Sequence, residues 1–109
     1  MFINRNHEGE ILILELSGRL DTFGAIEFES RLQEACDEGS HTVVVDMSDV
    51  HYVNSTGLRV LAQFLKLSSE RNCDLRLVGL SANVEKAIGL VGLQNFFRPY
   101  VSVQAALNN

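Results

Sequence analysis

The stretch Val43-Val44-Val45-Asp46-Met47-Ser48-Asp49-Val50-His51-Tyr52-Val53-Asn54-Ser55-Thr56-Gly57-Leu58-Arg59 joins a β-branched run to a strongly apolar helix. Residues 43–45 are too few for a helix and read as a short buried strand. The residues that follow read as a connection, flanked by Asp46 and Asp49, at that strand's carboxyl end, where open α/β folds gather their sites. Asn54, Ser55, Thr56 and Gly57 offer several caps to one helix start. The unpaired N–H groups there, with a dipole worth about 0.3–1 kcal/mol to an anion, make a natural phosphate cradle. In the helix over residues 55–71, Leu58, Val60, Leu61, Ala62, Phe64, Leu65 and Leu67 sweep an apolar arc of roughly 220° at 100° per residue. A helix lying only on a sheet needs an arc of about 100°, so the excess must meet another helix or a partner protein. Ser55, Arg59, Gln63, Lys66 and Glu70 fill the remaining wedge, with Ser55 and Arg59 facing the same way at i, i+4.

Upstream, residues 1–5 and 10–16 read as two strands about the turn signal His7-Glu8-Gly9. Ile11-Leu12-Ile13-Leu14-Glu15-Leu16 is nearly continuous apolar, as in a strand covered on both faces, and Gly18 is expected to end it. Asp21 or Thr22 can cap a helix running to about residue 38, with Ala25, Phe28, Leu32 and Ala35/Cys36 on one stripe. Glu27, Arg31, Glu34 and Asp37 take its other face, and Gly39 is a natural stop. Downstream, residues 75–80 read as a strand. Ser81 opens a third helix with Val84, Ala87/Ile88 and Val91 inward, weakened at its end by Gly89 and Gly92. The tail from Phe96 is expected to give a short strand and a last helical turn. Strands alternating with helical segments indicate an α/β sandwich with a mainly parallel or mixed sheet and right-handed crossovers. No repeat or linker divides residues 1–109, which read as one domain.

A chain of 109 residues, 46% hydrophobic and 21% charged, buries roughly 65% of its extended-chain surface and needs no metal or disulfide staple. Cys36 and Cys73 form no zinc pattern and no disulfide framework, and read as plain core or half-exposed thiols in a reducing compartment. The longest apolar stretch, Ile11 to Leu14, falls far short of the ~20 residues that span a bilayer. Met1-Phe2-Ile3-Asn4-Arg5 leads straight into a strand without a signal-peptide pattern. A soluble, cytoplasmic protein is the expectation, with no membrane insertion. The net charge of −5 is uneven: residues 1–50 carry 11 acids and 3 bases, residues 51–109 carry 3 acids and 6 bases. Lysines and arginines nowhere gather into a nucleic-acid or membrane patch, and a polarised surface suits a protein partner better than a phosphate backbone.

Asn54-Ser55-Thr56-Gly57-Leu58, after a short strand ending in Val45-Asp46, resembles the Asp-Ser-(Ser/Thr)-Gly-Leu signature of bacterial anti-sigma factor antagonists, the STAS domain. Gly18-Arg19-Leu20-Asp21 is similar to the family's Gly-Glu-Leu-Asp, and Gly92-Leu93 to its Gly-Leu near the C-terminus. The three matches span essentially the whole chain in order and spacing. The resemblance implies a STAS-like sandwich: a mixed sheet of four to five strands with helices packed mainly on one face. It also implies a non-enzymatic partner switch without cofactor or metal. In such a switch Ser55, with Thr56 as its neighbour, is phosphorylated by a serine-kinase anti-sigma factor of the GHKL class and reset by a phosphatase. The unmodified form binds that factor, as a monomer or weak dimer, and so releases a sigma factor. Partner contact is then expected from Asp21, Thr22, Asn54, Ser55, Thr56, Gly57, Leu58 and Arg59, including a loop over residues 21–24. Two positions depart from the signature: Asn54 stands for its Asp, and Arg59 for the usual glycine after Gly-Leu.

Other readings compete. Ser55 can be simply a helix cap, worth ~1 kcal/mol. Asp21 reads as a cap, and Asp46 and Asp49 as acids that hydrogen-bond the loop backbone. His51 near Ser55 hints at a hydrolase, but no G-x-S-x-G elbow accompanies it. Phe96-Phe97 reads as core. Asn54 and Arg59 also suit a non-switching STAS adaptor, such as a stress-signalling scaffold or a lipid-transport accessory. A receiver with Asp46 as phosphoacceptor ranks last, because the second acidic cluster and the lysine it needs are missing.

Overall fold

The structure is a computed structural model that describes residues 1–70, 73–96 and 98–108. β1 (Phe2–Glu8) and β2 (Ile11–Leu20) pair antiparallel around Gly9, whose φ of +62° favours glycine. The strands run on through His7 and Glu8, so the turn is tighter than its sequence signal. Two crossovers follow, through α1 (Thr22–Asp37) to β3 (Thr42–Val53) and through α2 (Ser55–Glu70) to β4 (Asp74–Val78). β2, β3 and β4 are parallel, so the four-stranded sheet is mixed, in the order β1-β2-β3-β4. α3 (Ala82–Leu90), a 3-10 turn (Gln94–Phe96) and α4 (Val103–Leu107) complete the described chain.

Strand alternation sorts the core into two layers. Leu12, Leu14 and Leu16 of β2, Val43, Val45 and Met47 of β3, and Leu75 and Leu77 of β4 face one side. They are covered there by Ala25, Phe28 and Leu32 of α1, Val60, Leu61, Phe64 and Leu65 of α2, and Val84 and Ile88 of α3. Ile13, Val44 and Val78 face the other side, under Ala106 of α4 with Tyr100, Val103 and Leu107. The near-continuous apolar run of β2 is therefore a strand covered on both faces. Gly39, at φ +80°, ends α1: its N–H reaches Cys36 O at 3.1 Å and that of Ser40 reaches Ala35 O at 3.1 Å.

Several expectations need correction. β3 extends to Val53, eight residues past the β-branched run, so residues 46–53 are strand and not loop. β2 likewise continues past Gly18, where the β2–β3 register slips, to Leu20. Asp46 lies mid-strand, its Oδ1 accepting from Ser48 N at 3.0 Å and Ser48 Oγ at 2.7 Å. That position is unsuited to a receiver phosphoacceptor, which sits at a strand's end. The tail supplies no strand among the described residues, only a single bridge between Val78 and Tyr100. Val91 points outward at the end of α3, and Phe96 is 43% exposed, outside the core. Phe97 lies outside the described residues.

Candidate functional site

Two helix starts lie side by side at one end of the sheet. β2 ends at Leu20, and Asp21 caps α1 by accepting from Gly24 N at 2.9 Å. Gly24 therefore belongs to the first turn of α1 and not to a loop; a Cβ there would come within 2.5 Å of Arg19 O. β3 ends at Val53, and the N–H of Asn54 still pairs with Leu20 O at 3.1 Å, as a strand residue would. Asn54 Oδ1 then accepts from Gly57 N at 3.0 Å, so Asn54 caps α2 and Ser55 is its first residue. This overturns the reading of Ser55 as a cap. Asn54 Nδ2 donates to Thr22 Oγ1 at 3.3 Å, linking the two helix starts directly.

The candidate residues divide by exposure. Thr22, Ser55 and Arg59 are exposed, Asp21, Asn54, Thr56 and Leu58 are half-buried, and Gly57 is buried. Gly57 has a packing role: a Cβ would meet Leu20 O at 2.7 Å, Leu20 Cγ at 2.8 Å and Val53 Cγ2 at 2.9 Å. Ser55 and Arg59 line a groove of about 270 Å³ together with Leu58, Ala62 and Lys66 of α2 and with Val91 and Leu93, which follow α3. A hydroxyl beside an apolar groove, with a guanidinium one turn on, is an arrangement that registers added negative charge.

Residues that the motif does not mark complete the surface. Phe23 is 84% and Ile26 62% exposed, directly after Thr22 on α1. The signal for them was an aromatic and an isoleucine off the Ala25–Phe28–Leu32 stripe. Arg19 stacks over the Tyr52 ring at 3.8 Å from its centroid, joining the ends of β2 and β3 beneath the two helix starts. Nothing local in the sequence announces that pair, because it depends on register. Asp49 and His51 are exposed on the second half of β3. Among the described residues no group of three or more His, Cys, Asp or Glu side chains is placed to hold a metal ion.

Fold and site together define a class: a mixed-sheet α/β domain that presents two adjoining helix starts and an exposed serine on one surface. The STAS domain model matches residues 2–106, and the chain belongs to the STAS domain family. It is 29% identical over 82 residues to the anti-sigma-B factor antagonist of Staphylococcus epidermidis, covering 75% of this chain and 76% of that one. Among solved structures it superposes on an anti-sigma factor antagonist from Mycobacterium paratuberculosis with a TM-score of 0.86, at 21% identity over 98% of this chain and 91% of that one. It also superposes on the phosphorylated form of the Bacillus cell fate determinant SpoIIAA with a TM-score of 0.76, at 15% identity over 98% and 97% of the two chains. The mixed four-stranded sheet with helices mainly on one face is the STAS-like sandwich anticipated from the motifs. No helix among the described residues is long and apolar enough to cross a membrane.

Proposed function

We propose that the protein is an anti-sigma factor antagonist whose binding is switched by phosphorylation of Ser55. The observation that carries this reading is the division of labour at the start of α2. Asn54 caps the helix, and Ser55, one residue on, is exposed at the rim of an apolar groove. A phosphoryl group adds about −1.5 to −2 charges. Placed at a helix N-terminus it meets a favourable dipole, so the fold tolerates it. Arg59 lies one turn along, within the class of phosphate-pairing cations. A partner that covers the groove must instead bury that charge against Leu58, Ala62, Val91 and Leu93, at a cost of several kcal/mol. At 1.4 kcal/mol per decade this weakens the complex by roughly 10²–10³-fold. The switch then acts on binding and leaves the domain folded.

The unmodified surface, with Asp21, Thr22, Asn54, Thr56 and Leu58 around Ser55, docks a serine-kinase anti-sigma factor of the GHKL class and so frees a sigma factor; a phosphatase restores it. This scheme is supported by the antagonist names of the relatives and by SpoIIAA having a phosphorylated form. Incubation with the cognate anti-sigma kinase and ATP, followed by mass spectrometric mapping, should place phosphate on Ser55. Ser55→Asp should weaken the complex, whereas Ser55→Ala should still bind and accept no phosphate. Phosphate elsewhere, or binding indifferent to Ser55→Asp, would remove the reading. Asn54 and Arg59, the departures from the motif, favour a second one: a constitutive adaptor of the same fold. A co-purified complex unchanged by ATP, with Ser55 unmodified in cells, would establish it instead.

A further inference from the structure

At the far end of α1 from the serine, two thiols meet. Cys36 lies in the last turn of α1 and Cys73 immediately before β4, and their Sγ atoms are 3.2 Å apart. Both are free and half-buried. Neither is carried on a slack backbone: Cys36 O accepts from Gly39 N at 3.1 Å, and the residue after Cys73 pairs with His41 O at 2.6 Å. The sulfurs of a disulfide are about 2.05 Å apart, so bonding this pair asks for a shift on the order of 1 Å. The thiols also line a cavity of about 440 Å³ whose wall includes the polar side chains Gln33, Asp37 and His41. A molecule the size of water, which takes about 30 Å³, has ample room there.

We propose that Cys36 and Cys73 are a thiol-oxidation site at which hydrogen peroxide forms a reversible intrachain disulfide, tying the end of α1 to the start of β4. The Cys36 sulfur attacks one peroxide oxygen, the O–O bond breaks, and water leaves with the thiol proton, giving a sulfenic acid on Cys36. The Cys73 sulfur then attacks the Cys36 sulfur. The S–O bond breaks, and the Cys73 proton departs with the hydroxyl as a second water. Two thiols are oxidised and one peroxide is reduced. The surroundings favour that order: burial, then the hydrogen bond it shares with Cys36, pushes the Cys73 thiol up to about 12, which disfavours its thiolate as the first nucleophile. The inference is independent of the reading of Ser55.

The test uses the reduced full chain and one equivalent of hydrogen peroxide near neutral pH. The monomer should lose the mass of two hydrogens and yield a peptide linking Cys36 to Cys73, and dithiothreitol should regenerate both thiols. Cys73→Ser should leave Cys36 as a sulfenic acid that dimedone captures. Sulfinic or sulfonic acid without a link, a crosslink between two chains, or thiols left unreacted would each overturn the proposal. The wild-type masses decide the matter even where the variant fails to fold.

Discussion

Asn54 works at both ends of its amide. Its oxygen caps α2 through Gly57 N, and its nitrogen holds Thr22 at the start of α1. Asn54→Ala removes both contacts and should cost about 1 kcal/mol, read as a lower urea midpoint with an unchanged slope. Ser55→Ala, at an exposed first-turn position, should move stability by no more than about 0.5 kcal/mol. If Ser55→Ala were the costlier of the two, the assignment of the cap would be wrong, and with it the argument that the hydroxyl is available. The sequence could not rank these neighbours, because Asn54, Ser55 and Thr56 all have capping side chains. Their order is settled by the hydrogen bond from Asn54 N to Leu20 O, which keeps residue 54 extended and starts the helix one residue later. That bond joins residues 34 apart in the chain, and no local pattern records it.

The same dependence on distant partners governs the glycines of the helices. Gly57→Ala improves helix propensity by about 1 kcal/mol, yet its Cβ would strike Leu20 and Val53 closer than 3.0 Å, two of the contacts being to Leu20 O and Val53 Cγ2. Overpacking of this kind costs typically 1–3 kcal/mol, so we expect net destabilisation, with α2 displaced from β2 and the Asn54–Thr22 link weakened. Gly89→Ala in α3, with nothing within 4 Å of its Cβ, should stabilise by about 0.5–1 kcal/mol. Thermal melts of the two variants should therefore shift in opposite directions. Among the strands, β2 was legible because its apolar run is covered on both faces, and the β–α alternation was legible from helix-length stripes. The second half of β3 was not. It takes two more residues than β2 over the paired stretch from Glu15↔Asp46 to Leu20↔Val53, with shifts beside Ser17 and Arg19. Such irregularities break the period-2 pattern by which a strand is read, and Asp46 bonding to Ser48 there imitates a turn. The wide apolar arc of α2 was legible, and the structure divides it. Phe64 and Leu67 turn toward α1 and the thiol cavity, while Leu58 and Ala62 are left to the groove beside Ser55.

Across the whole molecule, α1 connects two chemistries. Its first turn borders Ser55 and its last turn carries Cys36, 14 residues or about 21 Å apart at 1.5 Å per residue. Sites so far apart and without shared partners act additively, so Ser55→Asp and oxidation of the thiols should change stability independently, to within about 0.5 kcal/mol. Cys73 should shape the alkaline limb between pH 9 and 12. Burial, then the contact with Cys36, pushes the Cys73 thiol from 9.0 up to about 12 in the fold. Below pH 9 the thiol is neutral in both states and contributes nothing to the pH dependence. As pH rises past 9 the unfolded chain loses this proton while the folded chain keeps it, so the unfolded state binds fewer protons and stability falls toward pH 12. Cys73→Ser should flatten that decline in urea melts between pH 9 and 11. The disulfide should flatten it too, since it likewise leaves no Cys73 thiol to ionise. It should also raise stability throughout, by about 2–4 kcal/mol for a crosslink between residues 37 apart. A decline that persisted in both forms would mean that other groups set the alkaline limit. A disulfide that flattened it without raising stability would mean that the bond strains α1 against β4 by as much as it constrains the unfolded chain.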